Sequence, residues 1–125
     1  MVTETITKFT KDEVSSETLK YFKGDELATN VFVSKYALKN NTGEYLENTP
    51  DDMHRRMSKE FARISTLGEE EIYGLFKDFK YIIPQGSVMY GCGNDDQIVS
   101  LSNCFVVGQP KDTYSSIILK DLELA

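Results

Sequence analysis

Residues 84–104, PQGSVMYGCGNDDQIVSLSNC, constrain this chain more than any other stretch. Glycines at 86, 91 and 93 punctuate its first half, where backbone without a Cβ can turn sharply and approach a ligand closely. The second half runs into the mostly apolar residues 99–107, which end in Phe105-Val106-Val107. That pattern predicts a short strand buried on both faces, as in a parallel barrel, with the Cys104 thiol in its middle. The other segments read mainly as helices.

Ahead of this stretch, residues 1–14 alternate weakly (Val2, Ile6, Phe9) and read as an extended arm, a strand if something pairs with it. Ser15 or Ser16 can cap a short helix over 17–22 that Gly24 stops. Asp25 starts an amphipathic helix to residue 38, with Leu27, Val31, Ser34 and Leu38 on one stripe and Ala28, Phe32 and Lys35 beside it. Asn40-Asn41-Thr42-Gly43 then turns the chain. Thr49-Pro50-Asp51-Asp52 opens the next helix: a capping hydroxyl, a proline suited to the first helical position, and two carboxylates that complement the dipole. Met53, Met57, Phe61 and Ile64 recur at helical spacing, and Gly68 ends the helix. Residues 69–79 predict another helix burying Ile72, Leu75, Phe76 and Phe79, and residues 81–83 run extended into Pro84. After residues 108–111 turn the chain, Asp112 or Thr113 caps a last helix whose Tyr114, Ile118, Leu122 and Ala125 share a face. No terminating residue follows it, so the expectation is a chain cut short or completed by a partner.

Composition narrows the function classes. A length of 125 residues suits one modest core, and a net charge of −6 lacks the basic face that nucleic-acid binding needs. No apolar run approaches a membrane span, and the first residues are polar where a leader needs an apolar core. Cys92 and Cys104 fit neither a zinc spacing nor a secreted disulfide framework, so the expected address is the cytosol with reduced thiols. The acidic groups Asp51-Asp52 and Glu69-Glu70-Glu71 open helices, where the dipole explains them without a metal. His54 falls on a polar helix face and is expected in solvent, and the Met53/Met57/Phe61 stripe is expected to be core.

The strings PQGSVMYGCGN, VSLSNCFVVG and DTYSSI together resemble the start of the catalytic barrel in ribonucleotide reductase large subunits. Adenosylcobalamin-dependent (class II) enzymes and the related class I catalytic chains are most similar, and residues 17–64 resemble the helical region that precedes the barrel. The resemblance implies an α/β fold for the complete enzyme, a ten-stranded α/β barrel. This chain would be mainly α: residues 1–80 an N-terminal helical region, and 81–125 the first barrel strand and the start of the next helix. The family's regulatory ATP-cone, normally ahead of this region, is not represented.

What this resemblance implies can be placed residue by residue. Cys104 matches the first cysteine of the redox pair, which protonates the departing 2′-hydroxyl and then forms a disulfide with a distant partner. A dithiol is required because two electrons must reach the ribose. Ser102 and Asn103 flank it where family members contact substrate. Gly86 and Ser87 match a loop that holds substrate phosphate or sugar, a task suited to the N–H groups of a glycine-rich turn. Asp112 matches an aspartate near the effector (dNTP) specificity site at a dimer interface, and Thr113 keeps a hydroxyl where the family often has serine. Cys92 matches no catalytic position.

The implied partners are the remaining reductase chain, a ribonucleotide substrate and a dNTP effector, in a dimer of complete units without nucleic acid or membrane. No cofactor is expected on this chain alone; the complete enzyme would use adenosylcobalamin or a radical-generating metal subunit. Two other classes stand beside this one: a freestanding nucleotide-binding or regulatory module, and a helical protein-interaction domain. In both, Cys104 would be a buried small hydrophobe and Asp112 only a helix cap.

Overall fold

The computed structural model describes residues 7–124. It is mainly helical, with no named strand among the described residues. Residues 1–6 of the expected arm, and Ala125 of the apolar face expected on the last helix, lie outside them.

Helix α1, Lys11–Tyr21, begins earlier than the serines suggest because Thr10 and Glu13 make a capping box. The Thr10 N–H donates to Glu13 Oε2 at 2.8 Å, while the Glu13 N–H donates to Thr10 Oγ1 at 3.3 Å. The Thr10 N–H, and the Thr10 hydroxyl that also donates to Oε2, hold the Glu13 carboxyl below its ordinary pKa. At the other end the Gly24 N–H reaches the Leu19 carbonyl and the Lys23 N–H that of Lys20, a Schellman close. Lys23 takes the left-handed position at φ 54°, and Gly24 follows at φ 92°.

Asp25 caps α2, Glu26–Val31, by accepting from the Ala28 N–H at 2.9 Å. The expected single helix to residue 38 is broken. Phe32–Tyr36 is a π-helical turn, closed by the Ala37 N–H on the Phe32 carbonyl. The wider turn rotates the side chains that follow it, and Ala37 and Leu38 are buried with Phe32 and Val33. Leu27 of the expected stripe, in α2, is 76% exposed. Residues 38–46 then double back around the predicted turn, with the Leu46 N–H on the Leu38 carbonyl and the Asn40 N–H on that of Glu44. Phe9 bridges to Tyr45 antiparallel, so part of the arm does find a partner.

Helix α3, Pro50–Ala62, starts where its sequence says. Asp52 Oδ2 accepts from the N–H groups of Asn48 and Thr49, each at 2.9 Å. The helix stops before Ile64, which is left 82% exposed, and Gly68 caps the following α4, Glu69–Phe76. These two helices pack along Met53, Met57, Ile72 and Phe76, and Phe32, Val33, Val14 and Tyr45 complete the core from the first half of the chain. The segment expected to continue α4 to residue 79 is a 3-10 turn, Lys77–Phe79, with Asp78 at φ 56° and Phe79 at φ 54°.

Two expectations are corrected in the last third. The glycine loop at 86–91 is a helix, α5, Gly86–Gly91. Residues 99–107 form no strand: they are irregular and largely exposed, with Phe105 in solvent. A strand needs a ladder partner for its N–H and C=O groups, and no described residue pairs there. The last helix, α6, Tyr114–Leu124, buries none of its residues.

Candidate functional site

Three of the predicted site residues, Gly86, Ser87 and Asn103, are drawn together at the start of α5. Gly91 determines how. A Cβ on it would lie 2.5 Å from Val99 Cγ2 and 3.0 Å from Leu101 Cδ2, so only glycine lets residues 99–101 fold back over the end of the helix. Before that return, Asn94 Oδ1 accepts from the N–H groups of Asp96 and Gln97, and the Tyr90 hydroxyl donates to Gln97 Oε1 at 2.6 Å. The chain therefore arrives at Asn103 beside the helix start.

There Asn103 bridges two residues of the α5 N-terminus. Its Oδ1 accepts from the Ser87 N–H at 3.0 Å, and its Nδ2 donates to Gln85 Oε1 at 2.7 Å. Asn103, Ser87 and the adjoining Gly86 are thus neighbours. The Ser87 hydroxyl oxygen is buried without a hydrogen-bond partner. Cys104 follows as a free, exposed thiol, and Ser102, also exposed, donates its N–H to Ser100 Oγ at 3.1 Å. Cys104 is therefore not a buried small hydrophobe.

Asp112 and Thr113 are not part of this group. Thr113 Oγ1 accepts from the Ser116 N–H at 3.3 Å, so of the two candidates threonine supplies the cap of α6; Asp112 is exposed. The bonds of Thr113 among the described residues are local to that helix start.

Arg56, which sequence reasoning passed over, holds the site from behind. From α3 it donates Nε to Glu47 Oε1 at 2.6 Å and Nη2 to the Met89 carbonyl at 2.8 Å, and its Nη1 reaches the Cys92 carbonyl. Those carbonyls are at the end of α5, so one guanidinium joins the central helix to the site helix. Glu47 also accepts from the Leu38 N–H at 3.0 Å. Burial pushes the Glu47 carboxyl above its ordinary pKa, with the Arg56 contact and the Leu38 N–H opposing. Adjacent arginines on a polar helix gave no sign of which would turn inward.

Cys92, between the glycines at 91 and 93, closes α5 and belongs to the core. Burial pushes its thiol up, Arg56 pulling the other way. His54 is also misplaced by the polar-face reading: it is fully buried. Between α3, α4 and α5 lies an apolar cavity of about 300 Å³, lined by Phe61, Ile72, Phe76, Ile82, Pro84 and Val88 among others. Among the described residues no three His, Cys, Asp or Glu side chains converge as a metal site would require, and no helix is long and apolar enough to cross a membrane.

Comparison with family models, curated proteins and solved structures finds no match to this chain.

Proposed function

We propose that this chain is the N-terminal part of a ribonucleotide reductase catalytic subunit, acting only with the remaining polypeptide. The observation that carries this reading is the Asn103 bridge to Gln85 and Ser87, which brings the residue before the exposed Cys104 to the start of the glycine-rich helix. Ribonucleotide reduction needs a thiol near polar groups that hold the substrate, and Asn103 and Ser87 are the polar residues that adjoin Cys104 or meet its neighbour here. In this role Gly86, Ser87, Ser102 and Asn103 hold the substrate's phosphate and sugar. Cys104 protonates the departing 2′-hydroxyl, which leaves as water, and then closes a disulfide with a second cysteine on the remaining polypeptide. The two thiols surrender two electrons and two protons: one proton leaves with the 2′-oxygen as water, and the other ends with both electrons in the new C2′–H bond.

Residues 81–125 would then form the entry to the barrel, and the exposed apolar residues at 98, 105–107 and along α6 would pack against later barrel elements. Asp112 and Thr113 would approach a dNTP effector at a dimer interface. Adenosylcobalamin or a metal-containing subunit would supply the radical when bound. The residues described here show no convergent donor set for a metal, so no step is assigned through that group on this chain.

A second reading, a helical protein-interaction module, is favoured by one observation: α6 buries nothing while Ile117, Ile118, Leu119 and Leu122 are all exposed. The two separate on what the chain binds. A tagged chain is recovered from its native cells and co-purifying polypeptides are identified by mass. Recovery of a protein carrying the remaining redox cysteines, with dithiol-dependent ribonucleotide reduction in the complex, supports the first. Stable recovery of only unrelated partners rejects it.

A further inference from the structure

His54 is a titratable group sealed inside an otherwise apolar contact. It is fully buried on α3, and neither Nδ1 nor Nε2 has a hydrogen-bond partner. Its ring meets Phe79 edge-on, with centroids 4.6 Å apart, and Phe79 stacks in turn on Phe22 at the end of α1. Phe79 reaches that position only through a left-handed backbone at both Asp78 and Phe79, where non-glycine residues are strained. Strain of this kind persists only while surrounding contacts hold it, and the His54–Phe79–Phe22 stack does so beside the Tyr21 hydroxyl on Asp78.

We infer that His54 and Phe79 form a pH-sensitive latch, in which charging the imidazole releases the strained Lys77–Phe79 turn from α3. A neutral imidazole tolerates an apolar neighbour and two vacant nitrogens; an imidazolium has two donors that must find acceptors or water. The charged groups around the ring do not satisfy it in place. Asp51, on the same helix, accepts the Tyr73 hydroxyl of α4 at 2.5 Å, and Asp78, in the turn, accepts the Tyr21 hydroxyl of α1 at 3.2 Å. Arg55 of α3 and Lys77 of the turn both lie over the Tyr73 ring, and Lys23 lines the same hollow as Asp78 and Phe79. Once Phe79 swings away, water and the two aspartates can reach the ring.

The direction follows from burial. It holds the closed-state His54 pKa below 6.5, outweighing the favourable charges of Asp51 and Asp78. The open state binds a proton with ordinary affinity, so opening is favoured as pH falls through about 6.5. Release also loosens what the turn anchors. The Ile82 N–H donates to the Leu75 carbonyl just beyond it, and Ile82 and Pro84 wall the apolar cavity before α5 begins. The latch therefore gates access to that cavity.

Hydrogen exchange of the chain, resolved by peptide and corrected for the intrinsic pH dependence of exchange, tests this at about pH 7.5 and about pH 5.5. Protection of residues 77–85 should fall about tenfold at the lower pH, one unit below the ordinary imidazole pKa, while peptides of α3 change little. His54→Phe should abolish the response. Equal loss in α3 and in 77–85, or an unchanged response in His54→Phe, overturns the latch. Should that variant not fold, NMR titration of His54 in the native chain decides: a midpoint clearly below 6.5 supports it, and one at or above 6.5 overturns it.

Discussion

Arg56 and Glu47 form an ion pair with both partners withdrawn from water: Nε lies 2.6 Å from Oε1, and the side chains are 11% and 5% exposed. Each also serves the backbone, Glu47 at Leu38 and Arg56 at Met89 and Cys92, so the pair ties the 38–46 turn, α3 and α5 together. Removing one partner leaves a buried charge without its counterion. Arg56→Met should cost about 3–5 kcal/mol by denaturant unfolding. The double variant Arg56→Met/Glu47→Leu should recover a good part of that loss, because no lone charge remains. A double variant as unstable as the single one would mean the carbonyl contacts, not the pairing, carry the effect.

Gly91 is the tightest approach in the site, with Val99 within 2.5 Å of where a Cβ would stand. Gly91→Ala should destabilise by about 1–3 kcal/mol through overpacking. Exchange of the Ser87 amide should rise as Asn103 is pushed off the helix start. Val99→Ala in the same chain should restore Ser87 protection, since it removes the clashing methyl. No rescue would show that the return of 99–103 depends on other contacts.

The two thiols should react at very different rates. Cys104 is exposed, whereas Cys92 is buried with its thiol pushed up by burial. Alkylation under native conditions should label Cys104 first and Cys92 on the order of a hundredfold more slowly, limited by local opening. Comparable rates would contradict the placement of Cys92 in the core.

On the reductase proposal, Cys104→Ser in the complex with the remaining polypeptide should abolish multiple-turnover deoxyribonucleotide formation while changing substrate binding little. A hydroxyl is nearly isosteric but cannot close the disulfide that carries two electrons away. Cys92→Ser should leave turnover near wild type, with any loss appearing as stability. Steady-state turnover with a dithiol reductant distinguishes them, and retained turnover in Cys104→Ser removes the reductase reading. Asp112→Ala should disturb the effector response more than basal turnover; equal loss of both would assign it to structure.

The purified chain should bind an apolar-surface dye and self-associate. Ile98, Val106 and Ile118 stand in solvent together with most of α6. Dye binding should fall when Ile118 and Leu122 are both changed to serine. A monomer with no dye signal would show that this surface is covered in solution.

What sequence determined by itself was structure whose causes lie within a few residues. Thr49, Pro50 and Asp52 start α3 with bonds spanning four residues or fewer, and Asp25 caps α2 the same way, so both starts were legible. The Asn40–Gly43 turn was legible too, and so was the Met53/Met57 stripe as core. Tertiary structure decided whatever depends on a partner far along the chain. The π-helical turn at 32–36 broke the single helical period, leaving Leu27 of the expected stripe exposed while Phe32 beside that stripe is buried. His54 is buried because Phe79 covers it from another element, and Arg56 turns inward because Glu47 and the α5 carbonyls wait there. The apolar run at 99–107 shows the same dependence in reverse: β-propensity describes a fit to neighbouring strands, and without a neighbour to pair with it forms no strand.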